Sequence, residues 1–392
     1  MPSKAKKKKK VSGKKSTTKI KIVGVGGAGC AVIDRLVKAK IPKIEFIAIN
    51  TDSQSLAKSL AHKKIRIGRK ITKGFGTGMD PRIGAQAIEE SGKKIKETLK
   101  DAEIIFFIAG LGGGTGSGAL PAIADLIKDL NILTIALVTK PFTFEGSRRI
   151  NIAEQSYNSL AQRVDSLISL SNENILSLID RKTSLTDAFR AVDAILEDTI
   201  RSITEIINFS GLINLDLADL KTILSKAGRT LLGIGEAEGE GRAIRAVRSA
   251  IESPFFSLSF KAAKGIIFIV SGAENVSIYE INEAAKYIIG SVDSDCRVVF
   301  GVSANKAMGN KLKIIVIATG FNSGSIPKLE TRASIRPQLE IERDETSISV
   351  NQPTTKKEIE FESKETFKDG HLIPEPADEL EIPAFLRKKK II

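Results

Sequence analysis

From about Lys19 to Thr139, short apolar runs alternate with amphipathic stretches, a pattern that predicts a parallel sheet wrapped by helices. From Ser184 to Phe209 the apolar positions Leu185, Phe189, Val192, Leu196, Ile200, Ile203 and Ile207 recur at three- and four-residue steps. That period predicts one long helix, and Ser184 with Asp187 three residues later supplies a capping signal. The runs GIIFIVSG, RVVFGVSAN and KIIVIATGF follow as strands, with a helical segment at Ile281 to Ile289 between the first two. They predict a second, smaller α/β domain. Beyond Phe321 the periodicity stops and the chain stays polar until LEIPAFLRKKK. The expected organisation is a basic arm over 1–18, a nucleotide domain over 19–183 and a central helix over 184–209. A second domain over 210–321, a disordered linker over 322–378 and a terminal peptide over 379–392 complete it.

Two glycine loops follow apolar strands in the first domain. In KIKIVGVGGAGCAVIDRLV, Gly24, Gly26 and Gly29 satisfy G-x-G-x-x-G, and Asp52 closes the next strand near the position of a ribose-binding acid. In EIIFFIAGLGGGTGSGALPAIADLIKD a seven-residue glycine-rich loop, Gly112 to Gly118, runs into a helix. Such a loop lets backbone N–H groups approach phosphate oxygens closely, and the helix start adds a favourable dipole. No Lys follows the last glycine, so an ordinary Walker A loop is disfavoured and the amides must hold the anion. A dinucleotide enzyme has no use for the second loop. Two phosphate loops in one domain point instead to a nucleoside triphosphate.

Composition narrows the classes further. At 392 residues with 42% hydrophobic side chains, two folded domains are expected. No apolar run is long enough to span a bilayer, and the lysine-rich N-terminus lacks the apolar segment of a signal peptide, so a cytoplasmic protein is expected. Cys30 and Cys296 stand far apart without neighbouring Cys or His, which suggests neither a disulfide framework nor a zinc site. With His62 and His371 as its only histidines, the chain is a poor candidate for histidine general-base chemistry. The formal net charge of +14 is concentrated partly in Lys4, Lys6 to Lys10, Lys14 and Lys15, an arm expected to be disordered and able to make a weak contact with nucleic acid or lipid.

One segment places polar groups in an otherwise apolar run. In GLINLDLADLKTIL, Asn214, Asp216 and Asp219 interrupt the apolar residues, and the two acids are three apart, able to share a side if a helix starts there. Read locally, they are an N-cap and first-turn acids favoured by the helix dipole. The first domain offers a triphosphate cradle but no obvious side chain to orient water.

The ordered set GVGGAG, INTD, GFGTGMDPRIG, GGGTGSG, TKPFTFEGSRR, TSLTDAF and GLINLDLADLKTIL resembles the FtsZ family of bacterial and archaeal tubulin-like cell-division GTPases over residues 19–321. The terminal LEIPAFLRKKK is similar to that family's terminal peptide. The resemblance implies an α/β fold: a tubulin/FtsZ-like GTPase domain with a Rossmann-like parallel sheet, a long central helix, a smaller α/β domain and disordered tails. It implies GTP/GDP and Mg²⁺ as ligands. Gly26, Gly27, Ala28, Gly29, Cys30 and Ala31 of the first loop would assist Gly112, Gly113, Gly114, Thr115, Gly116, Ser117 and Gly118 in holding the phosphates. Glu145 and Arg149 would lie near ribose and phosphates, and Asn172, Phe189 and Asp193 would embrace guanine. Phe189 and Asp193 are four apart, so one helix face carries both.

The implied active site is divided between two molecules of a head-to-tail homopolymer. One presents GTP; the next inserts Asn214, Asp216 and Asp219, which orient the attacking water and help hold a cation. The implied location is the division site in the cytoplasm, and Ile382, Pro383, Ala384, Phe385, Leu386 and Arg387 would dock to a membrane tether and division regulators. Ala31 replaces a usual Asn, Asn174 a usual Arg, and Asn305 with Lys306 an acidic pair. Two alternatives remain at this level: a nucleotide-gated scaffold in which Asp216 and Asp219 only cap a helix, and a dinucleotide-dependent oxidoreductase built on Gly24 to Gly29.

Overall fold

A computed structural model describes residues 18–321 except 209–212, 214, 257–258 and 274. The basic arm before Thr18, the linker, the terminal peptide with Ile382 to Arg387, and Asn214 therefore lie outside the described residues.

The strands are β1 (Ile20–Val25), β2 (Ile44–Asn50), β3 (Lys63–Arg66), β4 (Ile104–Gly110), β5 (Leu133–Lys140), β6 (Ser166–Ser171), β7 (Gly228–Glu238), β8 (Gly265–Gly272), β9 (Arg297–Ala304) and β10 (Lys311–Thr319). The helices are α1 (Gly26–Lys38), α2 (Ser53–Lys58), α3 (Arg69–Thr72), α4 (Pro81–Glu89), α5 (Gly92–Leu99), α6 (Gly114–Ile127), α7 (Ser147–Ala161), α8 (Asn172–Ile175), α9 (Leu185–Asn208), α10 (Leu217–Leu224), α11 (Arg242–Ile251) and α12 (Ile278–Gly290). The strands form one sheet in the order β3-β2-β1-β4-β5-β6-β7-β10-β8-β9.

The first six strands are parallel, and helices cover both faces, which is why β1 and β4 are apolar at almost every position. Successive residues then feed opposite cores. Phe106 and Ile108 pack with Ile33 and Leu36 of α1 and Val192 and Leu196 of α9. Their neighbours Ile105 and Phe107 pack with Ile95 of α5, Leu120 of α6 and Leu160 of α7. Each such fully buried aliphatic or aromatic side chain contributes about 1.5–3 kcal/mol.

The sequence pattern missed β7 and α11, and they join the two halves. β7 pairs parallel with β6 through Gly228, Arg229 and Thr230, then antiparallel with β10 from Leu231 onward. Gly233 and Gly235 break the apolar run, because a Cβ at either would lie 2.0 or 1.9 Å from the α11 carbonyls of Ala250 and Ala246. A helix backbone that close requires residues without side chains, and such residues carry no hydrophobic signal. The third core sits between α11, α12 and the strands β8 and β10.

Arg242 opens α11 and is buried, donating to Glu280 through Nε at 2.6 Å and to the Asn310 carbonyl through an NH group at 2.7 Å. Arg242→Ala removes the ion pair, though the half-buried Glu280 carboxylate keeps the Ser277 N–H at 2.8 Å and Asn310 is exposed. The expected loss is about 1.5 kcal/mol, measured as a lower urea midpoint. An unchanged midpoint would show that the Arg242 network contributes nothing net.

Candidate functional site

α1 and α6 both begin at the C-terminal ends of neighbouring parallel strands, β1 and β4, and open onto one cleft of about 450 Å³. Gly26, Gly27 and Ala28 line it from α1, and Gly113, Gly114, Thr115 and Gly116 line it from α6. Neither helix has a side-chain N-cap: Val25 and Gly113 hold those positions and donate or accept nothing from their side chains. Two sets of free helix-start N–H groups, each with its positive dipole end, therefore face the same space. Such an arrangement suits an anion held by backbone.

Close approach explains the glycines. A Cβ on Gly116 would lie 2.6 Å from the Gly110 carbonyl oxygen, and one on Gly26, whose φ is +76°, would press on the Gly116 nitrogen. The expected seven-residue loop is shorter than the sequence pattern indicated, because α6 already starts at Gly114. Gly118 lies inside that helix, packed where a Cβ would meet the Pro81 carbonyl oxygen at 1.9 Å. Ser117 is buried and accepts the Gly112 N–H at 2.9 Å, bracing the turn. Gly112, Ser117 and Gly118 are thus behind the cleft wall, as are Gly29 and Cys30 on α1. The Cys30 thiol points toward the Gly24 and Ile49 carbonyls, and burial pushes its pKa up to about 12.

At the other end of the cleft stand Asn172, Phe189 and Asp193, joined by Arg35, Val192 and Ala31. Phe189 leaves one ring face open while its edge meets Phe142 at a centroid distance of 5.5 Å. The Oδ1 of Asn172 is buried with no partner, and a buried acceptor of that kind calls for a donor from outside the chain. Asp193 pairs with Arg35. Burial pushes the Asp193 carboxyl up to about 6, with Arg35 opposing the shift. A carboxyl raised on folding binds protons more tightly in the folded state, so its contribution to stability is largest below its ordinary range and is lost as pH rises toward about 6. A ring that stacks on Phe189 and donates N–H groups to Asn172 and Asp193 fits this end, and guanine has such an edge.

Between the two ends, Glu145 and Arg149 form a 2.7 Å ion pair, and Glu145 also accepts the Phe142 N–H at 2.9 Å. Glu145 is therefore committed to positioning and is not free to act as a base.

The acids of NLDLAD are elsewhere. Asp216 is the N-cap residue of α10 and makes no side-chain cap bond; Asp219 lies in the first turn. Both are exposed, and neither carboxylate has a hydrogen bond or ion pair among the described residues. α9 carries Asp193 near its start, and α10 follows its end. Fifteen residues of helix from Asp193 to Asn208 span about 22 Å. Neither acid lines the cleft.

Arg35, Thr77 and Thr139 line the cleft without having been singled out in the sequence. Arg35 had a legible signal, since it lies four residues beyond Ala31 on one helix. Thr139 lies next to the C-terminal end of β5, at the same end of the sheet as the two helix starts, a position that only the strand order reveals. Asp52, the acid expected of a dinucleotide site, instead caps α2 by accepting the Gln54 and Ser55 N–H groups. Among the described residues no cluster of three His, Cys, Asp or Glu side chains is placed to hold a metal.

Residues 19–180 match the GTPase domain of the Tubulin/FtsZ family, and residues 228–322 match the C-terminal domain of the FtsZ family. A curated cell division protein FtsZ from a Wolbachia species is 37% identical over 385 residues, covering 95% of this chain and 96% of that protein. The solved empty FtsZ dimer of M. jannaschii superposes with a TM-score of 0.76 at 35% identity, over 79% of this chain and 90% of its own. CetZ2 of Haloferax volcanii, solved as a GTPγS-bound protofilament, shares the fold at 20% identity and a TM-score of 0.68, over 78% of this chain and 94% of its own.

Proposed function

The chain belongs to the FtsZ family of tubulin-like cell-division GTPases, and we propose that it hydrolyses GTP in head-to-tail filaments of a division ring, each site being completed by the next molecule. The observation that carries this reading is a separation: the uncapped helix starts face a cleft at one end of α9, and two exposed, unpaired aspartates stand at the other. A single molecule cannot bring them together. A heterologous contact that does not close can, and it makes an open filament.

In that arrangement the α1 and α6 amides hold the phosphates, while Phe189, Asn172 and Asp193 hold the base. Asp216 and Asp219 of the neighbouring molecule orient water for in-line attack on the γ-phosphate. Their free carboxylates suit a general base, which needs an acceptor not already occupied. The same two aspartates would help hold Mg²⁺, which would supply positive charge to offset that of the phosphates. Asn214 joins the two aspartates in this role. The terminal peptide Ile382 to Arg387 would tie the filament to a membrane tether and to division regulators. No helix among the described residues is long and apolar enough to cross a membrane.

The test is phosphate release from GTP with Mg²⁺ across a titration of protein, with light scattering recorded in parallel. Release per molecule should rise above a threshold at which scattering also rises. Binding without release at every concentration would leave a nucleotide-gated scaffold.

The base end gives a second expectation. Guanine N–H donation needs ionised Asp193, so GTP affinity should fall about tenfold per pH unit below about 6 and stay level above it. Asp193→Asn presents an amide donor in place of one acceptor. It should weaken GTP by a factor of about 10² or more while improving binding of XTP, whose base offers a carbonyl there. Equal loss of both nucleotides would remove Asp193 from base recognition.

A further inference from the structure

The INTD segment contributes nothing to the cleft wall, and its acid, Asp52, caps α2. Its threonine reaches the site from behind. Thr51 follows the last residue of β2, is fully buried, and places its Oγ 2.7 Å from the Oγ of Thr115. Thr115 lines the cleft from the first turn of α6. β1 lies between β2 and β4, so the ends of β2 and β4 stand about 10 Å apart. The start of α6 closes that gap by leaning over the end of β1 at Gly26, where a Cβ would come within 3.5 Å of the Thr115 Cβ and 3.1 Å of the Gly116 nitrogen.

The backbone around Thr51 is fastened on both sides. The Asn50 carbonyl accepts the Ile67 N–H at 3.1 Å, the Ser53 N–H donates to the Gly74 carbonyl at 3.1 Å, and Thr72 Oγ lies 3.4 Å from the Thr51 carbonyl. The Thr51 hydroxyl therefore has a fixed origin.

Burial decides the direction of the bond between the two hydroxyls. Thr115 Oγ is the one partner of Thr51 Oγ among the described residues. If the Thr51 hydrogen were not spent there, a fully buried donor would be left unsatisfied, which protein interiors avoid. Thr51 donates, Thr115 accepts on one lone pair, and the Thr115 hydrogen is left for the cleft. Phosphate oxygens without a proton only accept, so a hydroxyl can serve them only as a donor. A helical threonine also divides between two χ1 wells, and the bond from Thr51 holds Thr115 in one of them.

On the reading that the phosphates sit at the α6 start, we propose that Thr51 is a positioning residue for the nucleotide. By donating to Thr115 it makes the Thr115 hydroxyl a donor aimed at a phosphate oxygen.

The experiment is a double-mutant cycle on the full chain, read as GTP affinity by isothermal titration and as melting temperature. Thr115→Val should weaken GTP by a factor of about 10 or more, as the loss of a hydrogen bond to a charged group requires. Thr51→Val should weaken it about fivefold when Thr115 is present and should add nothing in the Thr115→Val background. Thr51→Ser keeps the donor and should recover most of the affinity. Melting should rank the variants the other way. Thr115→Val strands the buried Thr51 hydrogen and should melt lower than Thr51→Val, and the double variant should regain part of the difference. If Thr51→Val does not fold, Thr51→Cys, a weak donor, takes its place in the cycle. An equal loss of affinity in both backgrounds would make Thr51 a packing residue and overturn the proposal. Undiminished affinity in Thr51→Val beside a loss in Gly113→Asp overturns it alone, whereas GTP binding that Gly113→Asp leaves intact overturns the reading of the α6 start and this proposal with it.

Discussion

Asp219→Ala lowers GTP turnover by a factor of about 10² or more while GTP still binds, because the cleft and its helix starts lie on the far side of α9 from the substitution. Its effect on stability should be small, at most the ~0.3–1 kcal/mol of an acid in a first helical turn. Asp216→Ala should behave alike, since Asp216 makes no cap bond to lose. Turnover of Asp219→Ala should also recover when it is mixed with a variant whose own cleft is blocked but whose aspartates are intact. A filament of the two places an intact cleft against intact acids at some contacts. Phosphate release from the mixture, compared with each variant alone, is the measurement, and a mixture no better than its parts would place the acids outside the neighbour's site.

The partner for that mixture is Gly113→Asp, for which the structure sets a second large effect. Gly113 is the N-cap residue of α6, with φ −93° and ψ 170°, and a Cβ there meets nothing within 4 Å. Aspartate fits this backbone and is a favoured N-cap, taking up the N–H groups that would otherwise face a phosphate. Thermal stability should hold or rise slightly. GTP affinity should fall by a factor of about 10² to 10³, from the lost donors and from a carboxylate set against the phosphates. Isothermal titration beside thermal melting reads both. Undiminished GTP binding would mean that the α6 start is not where the phosphates sit.

Much of this was legible locally. Largely apolar runs announced β1, β2 and β4, since a strand covered on both faces buries almost every side chain and the few polar ones, such as Lys21, need a partner. The long helix announced itself through its period, and Ser184 indeed accepts the Asp187 N–H at 3.1 Å. The glycine loops announced an anion site because few other residues let two backbones approach so closely. β7 was silent, for its glycines exist to admit α11 and leave no apolar pattern.

The sequence by itself determined the alternation of strands and helices in the first half, the glycine-rich loops between strand and helix, and the acids at the start of α10. Each depends on the periodicity or conformational freedom of residues near one another in the chain. The tertiary structure alone decided which of the glycines face the cleft, that Arg35 meets Asp193, that Glu145 is already paired, and that Asp216 and Asp219 stand outside the cleft. Those facts depend on how strands are ordered in the sheet and which helix faces turn inward. Contacts between residues distant in sequence fix both, and no local pattern encodes them.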